Sequence, residues 1–297
     1  MKRVFYIVGP TAVGKSEIAA EVAHRLNAEV LNADAFQIYR GLDLLTAKPD
    51  RETLAKATHH LIGAVPLSEE MNVERFRDAA DMIIARGQAL IVVGGTGLYI
   101  KALTHGLAAL PAADQQLREK LERTTTEELF RSLRALDPVC AEKIDQYNRR
   151  RLIRAVEVCL LTGKPFSEQR TEWNATAPAN GVLVERDRAE LYARIDQRVE
   201  QMFAAGVVEE VRHAEGAGPT AAHALGLREI RTLIAGEISQ AECIARIQQA
   251  TRRYAKRQLT WFRRQTNFPA LNLTAHRPAE AVELISQSAS RVLAGND

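Results

Sequence analysis

The sequence predicts an α/β fold: a parallel sheet flanked by helices, with an all-helical lobe inserted into it. Three observations carry that expectation. Short apolar runs alternate with segments of helical spacing as far as Pro111. A glycine-rich phosphate-loop motif joins the first run to the first helix. From Ala112 the strand-like runs stop, and they return only near Val182. Strands that alternate with helices form a parallel sheet covered on both faces.

Arg3 to Val8 (RVFYIV) is the first strand, ended by Gly9 and Pro10. Lys15 to Leu26 follows as a helix, with Ile18, Val22 and Leu26 at helical spacing. Glu29 to Leu31 is a second strand leading into Asn32-Ala33-Asp34, and further apolar runs lie at His60 to Val65 and Ala89 to Val93. Between those two, Val73 to Arg86 repeats apolar residues at Phe76, Ala80, Ile83 and Ile84 and stops at Gly87, a helix with a glycine terminus. Ala112 to Thr171 has helical periodicity and no convincing strand. The expected domains are therefore a core of residues 1–111 and 182–297 and a helical insertion of residues 112–181. Pro178, Asn180 and Gly181 mark the return hinge. Val182 to Glu185 then precedes helices expected at Glu190 to Ala205, Gly226 to Ala235 and Ser239 to Phe262. The tail from Leu271 carries little legible chemistry.

Forty basic against 37 acidic residues give a net charge of +3, too small an excess to imply a polyanionic partner. Only local clustering of charge can do so. The longest apolar stretch, Ala89 to Ile100, is shorter than the roughly 20 residues that span a bilayer, and no membrane segment is expected. Val4 to Val8 is too short for a secretory apolar region, so the protein reads as cytoplasmic. Cys140, Cys159 and Cys243 are odd in number and lack any C-x-x-C or metal spacing, which makes them reduced structural residues.

Gly9-Pro10-Thr11-Ala12-Val13-Gly14-Lys15-Ser16 fits G-x-x-x-x-G-K-[ST] between a strand and a helix. Such a loop turns backbone amides toward an anion, the helix N-terminus adds positive potential, and Lys15 supplies a point charge. Ser16 is placed to hold Mg²⁺ against phosphate oxygens. Nucleotide hydrolases of this class put an acid at the end of a hydrophobic strand. Here Leu90-Ile91-Val92-Val93 ends instead in Gly94-Gly95-Thr96-Gly97. The obvious acid is Asp34, at the carboxyl edge of the sheet where ligands bind. Small-molecule kinases also carry an acid there, so the cradle alone leaves that class open.

From Arg246 to Arg264 there are seven basic residues and no acid, with Tyr254, Trp261 and Phe262 interleaved. Arg252 with Lys256 and Arg253 with Arg257 form i,i+4 stripes suited to a phosphate backbone. Arg149-Arg150-Arg151 and Arg154 form a second cluster in the insertion. Arg194 and Arg198, four apart, share one face of an expected helix. His59 and His60 are adjacent and point to opposite sides of a strand, which argues against a metal pair.

A series of motifs then runs through most of the chain. After the phosphate loop come Asp34-x-x-Gln37-x-Tyr39, Thr46-Ala47-Lys48-Pro49, His59-His60-Leu61-Ile62 and Gly94-Gly95-Thr96-Gly97-Leu98-Tyr99. Further on are Arg151-x-x-Arg154-Ala155-x-Glu157, Thr162-Gly163-Lys164, Arg194-Ile195-x-x-Arg198-Val199 and Lys256-Arg257-Gln258-x-Thr260-Trp261-Phe262. Together they resemble the tRNA dimethylallyltransferase (tRNA isopentenyltransferase) family. Ala35, Leu45, Gly63 and Leu227 depart from the usual pattern.

The resemblance implies transfer of a dimethylallyl group from dimethylallyl diphosphate to the N6 amine of the adenosine 3′ to the anticodon, assisted by Mg²⁺. It implies Asp34 as the base and Thr96 and Arg194 as further catalytic residues. Gly9 to Ser16 together with Arg198 would hold the diphosphate. Gln37, Thr46, Lys48, Arg151, Arg154, Arg252, Lys256 and Arg257 would meet the tRNA anticodon stem-loop. A splayed base in a single-stranded loop is cheaper to reach than one in duplex. The expected form is a monomer. An adenylate isopentenyltransferase acting on free nucleotide is the nearest alternative, and a P-loop small-molecule kinase and a non-catalytic RNA-binding module are the others.

Overall fold

The structure, a computed structural model, describes residues 3–169 and 180–294. Its first part alternates β1 (Val4–Val8), α1 (Lys15–Arg25), β2 (Glu29–Asn32), α2 (Arg51–Ala55), β3 (His59–His60), α3 (Val73–Ile84), β4 (Leu90–Gly94) and α4 (Gly97–His105). Five helices follow: α5 (Gln115–Arg123), α6 (Thr126–Leu136), α7 (Pro138–Lys143), α8 (Arg149–Thr162) and α9 (Phe166–Gln169). The last part holds β5 (Gly181–Glu185), α10 (Arg188–Ala204), α11 (Val207–His213), α12 (Leu227–Ile234), α13 (Gln240–Gln265), β6 (Ala270–Asn272) and α14 (Pro278–Leu293).

The six strands form one parallel sheet in the order β3-β2-β4-β1-β5-β6. Both faces are buried, so neighbouring residues of β1 enter different cores. Phe5 and Ile7 pack on one side with Val22 of α1 and Ile285 of α14; Val4, Tyr6 and Val8 pack on the other with Phe76 of α3 and Phe262 of α13. That double burial is why the central strands read as unbroken apolar runs.

The register decides where chemistry can gather. Val8 pairs with Gly94 and with Leu183, and Asn32 pairs with Val93. The carboxyl ends of β1, β2, β4 and β5 are therefore level. From β1 the chain crosses over β4 to reach β2, whereas from β4 it continues to β5 on the other side of β1. This reversal beside β1 is the topological switch point at which open parallel sheets bind ligands.

Three elements differ from expectation. The run at His60 to Val65 is not a six-residue strand, because Leu61 (φ 59°) and Gly63 (φ 57°) turn the backbone; Val65 rejoins only through a lone bridge to Tyr39. Gly206, at φ 94°, stops α10 and starts α11, which the sequence reading missed. The tail adds an edge strand, β6, and a core helix, α14, whose Ala281, Val282, Ile285 and Ala289 are buried. Pro178 of the expected hinge lies outside the described residues. No helix among the described residues is long and apolar enough to cross a membrane.

The chain divides into two compact units, the second beginning at His105, the last residue of α4. Its described residues, 105–169, carry their own core of Leu121, Leu129, Leu133, Leu152 and Val156. Thr125 and Glu128 form a capping box at α6. Glu157, fully buried on α8, accepts Arg118 at 2.8 Å and Arg154 at 2.7 Å. Arg154 also donates to the Pro111 carbonyl, and Arg149 to the Leu121 and Glu122 carbonyls. Two of the four arginines in this cluster are thus committed to holding the unit together, while Arg150 and Arg151 are exposed.

Candidate active site

The loop after β1 adopts the conformation of an anion nest. Ala12 (φ 65°) and Gly14 (φ 99°) are left-handed, which aims successive backbone N–H groups inward at the start of α1. A non-glycine residue at positive φ is strained by an amount of order 1–3 kcal/mol and persists only when its surroundings hold it. Here three arginines do so. Arg186 Nε donates to the Val13 carbonyl at 2.9 Å, Arg194 Nε to the Ala12 carbonyl at 2.9 Å, and an Arg198 amino group to Thr11 Oγ1 at 2.7 Å. Arg194 and Arg198 share one face of α10, whose Leu191, Ile195 and Val199 are buried on the other. Arg186 was not among the expected site residues; it stands just past β5, where the level sheet edge brings it beside the loop.

Charge is unbalanced at this point. Lys15, held to the Pro10 carbonyl at 3.3 Å, has its ammonium pushed below its ordinary range by burial; Asp34 pulls it back up and Arg198 pushes it further down. Burial lowers Arg198 to about 10, against the pull of Asp34 and Glu17, so it remains charged at neutral pH. The Nε of Arg198 is buried with no partner. Buried polar groups are normally paired, and an orphaned guanidinium nitrogen beside an open nest marks a place made for an anion.

Asp34 follows β2 at the same edge. Its Oδ1 accepts the backbone N–H of Phe36 at 3.0 Å and of Gln37 at 3.3 Å, fixing the turn through one oxygen only. Thr96, after β4, accepts the Ala35 N–H at 2.9 Å and so joins the loop after β4 to the Asp34 turn. The structure brings Lys15, Asp34, Thr96, Arg194 and Arg198 to one edge. A cavity of about 60 Å³ adjoins them, lined by Thr11, Asp34, Arg198 and Tyr254.

Two residues that sequence reasoning did not assign also build this site. Gln258 is buried on α13, accepts the Thr11 N–H at 2.8 Å and donates to the Gly95 carbonyl at 2.8 Å, joining the loops after β1 and β4. Tyr254, whose hydroxyl is held far above its ordinary range by burial and by Asp34, sits one turn earlier. A signal was present: α13 buries Thr251, Ala255, Gln258 and Phe262 on one stripe, and a glutamine within such a stripe needs a partner. Gly94 and Gly95 have no space beside them. A Cβ at Gly94 would lie 2.2 Å from the Ala33 carbonyl oxygen, and one at Gly95 2.3 Å from Gln258 Nε2.

The expected RNA contacts divide differently. Gln37 Nε2 donates to the carbonyls of Thr46 and Ala47, Thr46 Oγ1 to that of Leu42, and Lys48 to that of Tyr39 and to Asp43. These residues brace their own loop. On α13, Arg246 pairs with Glu242, Arg263 with Glu185, and Arg252 with Asp196 of α10. Arg252 is therefore not one stripe with Lys256 in the way its spacing suggests. Arg253, Lys256, Arg257 and Arg264 make no ion pair among the described residues, and with Thr260 and Trp261 they line a hollow of about 570 Å³.

Comparisons with known proteins bear on this geometry. Residues 37–265 match the family model described as IPP transferase. A protein of Geobacter metallireducens named tRNA dimethylallyltransferase is 43% identical over 281 residues, covering 89% of this chain and 90% of that one. The crystal structure of the full-length tRNA isopentenylpyrophosphate transferase from Bacillus halodurans superposes with a TM-score of 0.72 at 34% identity, covering 99% of this chain and 97% of that one. A eukaryotic dimethylallyltransferase described as acting on tRNA gives a TM-score of 0.82 at 25% identity, covering 100% of this chain and 81% of that one.

Proposed function

The chain belongs to the IPP transferase family, and on that premise we infer that it is a tRNA dimethylallyltransferase. It transfers a dimethylallyl group from dimethylallyl diphosphate to the N6 amine of the adenosine 3′ to the anticodon, and diphosphate is released. The observation that carries the chemistry is the cation surplus at the nest, with the orphaned Arg198 nitrogen and Asp34 beside it.

The exocyclic amine attacks the first carbon of the allyl group as the carbon–oxygen bond to diphosphate breaks. That amine is a weak nucleophile because its lone pair is delocalised into the ring. Asp34, with Oδ1 engaged in its turn, takes the N6 proton on its other oxygen. Charge builds on the departing diphosphate, and Lys15, the loop amides, Arg198 and Arg194 stabilise it where it develops.

Among the described residues no three His, Cys, Asp or Glu side chains cluster as a metal cage. Ser16, in the first turn of α1 directly after the nest, would hold a magnesium ion, which takes few protein ligands and binds with substrate phosphates. When bound it would neutralise charge on the leaving group. One chain supplies every residue of the cradle, and we take the active form to be a cytoplasmic monomer.

Incubation with labelled dimethylallyl diphosphate and either unmodified tRNA or free adenine nucleotides tests the assignment. Label is expected in tRNA; label entering only the nucleotides would overturn it. The RNA surface is the stripe of Arg253, Lys256, Arg257 and Arg264 around Trp261. Reversing Lys256 and Arg257 to Glu is expected to weaken tRNA binding and to reduce the slope of log K against log salt by about 1.4, two single-strand phosphate contacts at about 0.7 each. An equal slope in parent and variant would place the RNA elsewhere.

A further inference from the structure

Glu209 and Glu210 stand side by side in the first turn of α11, and they are used differently. Glu209 is exposed and pairs with Arg212 of its own helix. Glu210 is half-buried and spends both carboxylate oxygens on a distant loop. Its Oε1 accepts the Leu44 N–H at 2.7 Å and its Oε2 the Leu45 N–H at 2.8 Å. We propose that Glu210 is a positioning residue for the RNA base: through the loop of residues 42–48 it fixes the Gln37 amide on the turn that carries Asp34. The proposal rests on the tRNA reading given above.

The chain of contacts is continuous. The next two residues of the loop, Thr46 and Ala47, turn their carbonyls to Gln37 Nε2, at 3.2 Å and 2.9 Å. Both amide hydrogens are thereby spent, and Oε1 is what the side chain has left to offer. A locked amide of this kind is an acceptor only, and it suits a donor on a base edge, such as an exocyclic amine. Released from the two carbonyls, the same amide could turn over and present hydrogens instead. Gln37 also shares its turn with the proton acceptor, since its backbone N–H is one of the two that Asp34 Oδ1 accepts.

Two further observations mark the loop as more than a surface turn. Ala47, whose carbonyl holds Gln37, has φ 50°. A non-glycine residue keeps that conformation only where its surroundings impose it, and such outliers cluster at functional sites. Leu45 and Thr46 also line the cavity that Asp34 and Arg198 line. A carboxylate makes charge-assisted bonds, about twice as strong as neutral ones, which fits it to hold a strained loop against a reaction centre.

The test measures kcat/KM for unmodified tRNA in the parent, Glu210→Gln, Gln37→Ala and the double variant, beside a thermal melt of each. Glutamine at 210 keeps the shape but sets an NH2 group against one of the two backbone donors; Glu210→Ala is the second variant should the first fold poorly. Each single substitution is expected to lower kcat/KM for tRNA by about ten- to a hundredfold, the scale of a slightly misplaced group. The double variant should stay within about twofold of Gln37→Ala, because the two residues act as one unit. Its melting temperature should still show the separate loss at Glu210. Inhibition by inorganic diphosphate, which reads the phosphate cradle, should stay within about twofold of the parent. Parental kcat/KM in either single variant overturns the proposal and leaves the reaction standing. Losses that multiply in the double variant, or a matching change in diphosphate inhibition, also overturn it. A parent that transfers no prenyl group to tRNA overturns the tRNA reading and this proposal with it.

Discussion

Asp34→Asn is expected to slow single-turnover transfer by about 10²- to 10⁴-fold, the range over which a positioned proton acceptor contributes. The substitution isolates that role because of how the turn is made. Oδ1 accepts the N–H groups of Phe36 and Gln37, and the amide oxygen of asparagine can accept both. The turn survives, and what is lost is a basic oxygen. Folding and tRNA affinity should therefore remain near parental. Asp34→Ala is the contrasting variant: it frees two backbone donors as well as removing the base, so it should lose stability in addition to rate. Single-turnover kinetics beside denaturant titration of all three proteins separates these outcomes. Transfer by Asp34→Asn at the parental rate would show that the proton goes elsewhere.

Lys15→Ala is expected to lower kcat/KM for the donor by about 10²- to 10³-fold, comparable to removing one donor from a preorganised anion site. Its ammonium is buried, and burial first and the neighbouring Arg198 second weaken its hold on its proton, against the pull of Asp34. An arriving diphosphate relieves that crowding, so the charge acts where water is scarce. Arg194→Ala should cost less, about three- to tenfold, because its side chain is exposed and its charge is screened. Its bond to the Ala12 carbonyl adds a structural share to the loss. Donor titrations of both variants give the comparison, and an unchanged kcat/KM for Lys15→Ala would remove the loop from diphosphate binding.

The central strands were legible because burial on both faces leaves β1 and β4 as continuous apolar runs. The edges were not. Strand β6 has three residues, none of them buried, and carries no pattern to read. Within the site, the loop after β1, Asp34 and Thr96 were legible as a motif and as residues closely following strands. Gln258 and Tyr254 were not assigned, because the Thr11 and Gly95 groups that Gln258 bonds and the Asp34 that lines the cavity with Tyr254 lie more than a hundred residues away and meet them only when α13 folds across the sheet edge. Arg252 shows the converse. Its own helix suggested an exposed stripe, and only the packing of α10 against α13 reveals Asp196 opposite it. Local spacing identifies a face of a helix; it does not identify what that face meets.

The crowding at Gly94 and Gly95 also bears on what this fold can become. A P-loop that hydrolyses nucleotides uses a carboxylate near the end of the neighbouring strand, and such an acid is one codon change away from a glycine. At residue 94 that change would drive a side chain into the backbone of Ala33, and at residue 95 into the glutamine that braces Thr11. The first neighbour is backbone, and the second is a side-chain amide held by its bonds to Thr11 and Gly95. Ancestral or laboratory drift toward an ATPase would first have to rebuild the turn after β2 or relinquish Gln258, each at the expense of the donor site. The two activities are adjacent in motif yet separated by single substitutions that clash at the donor site, which makes this fold a poor starting point for a nucleotide hydrolase reached by single steps.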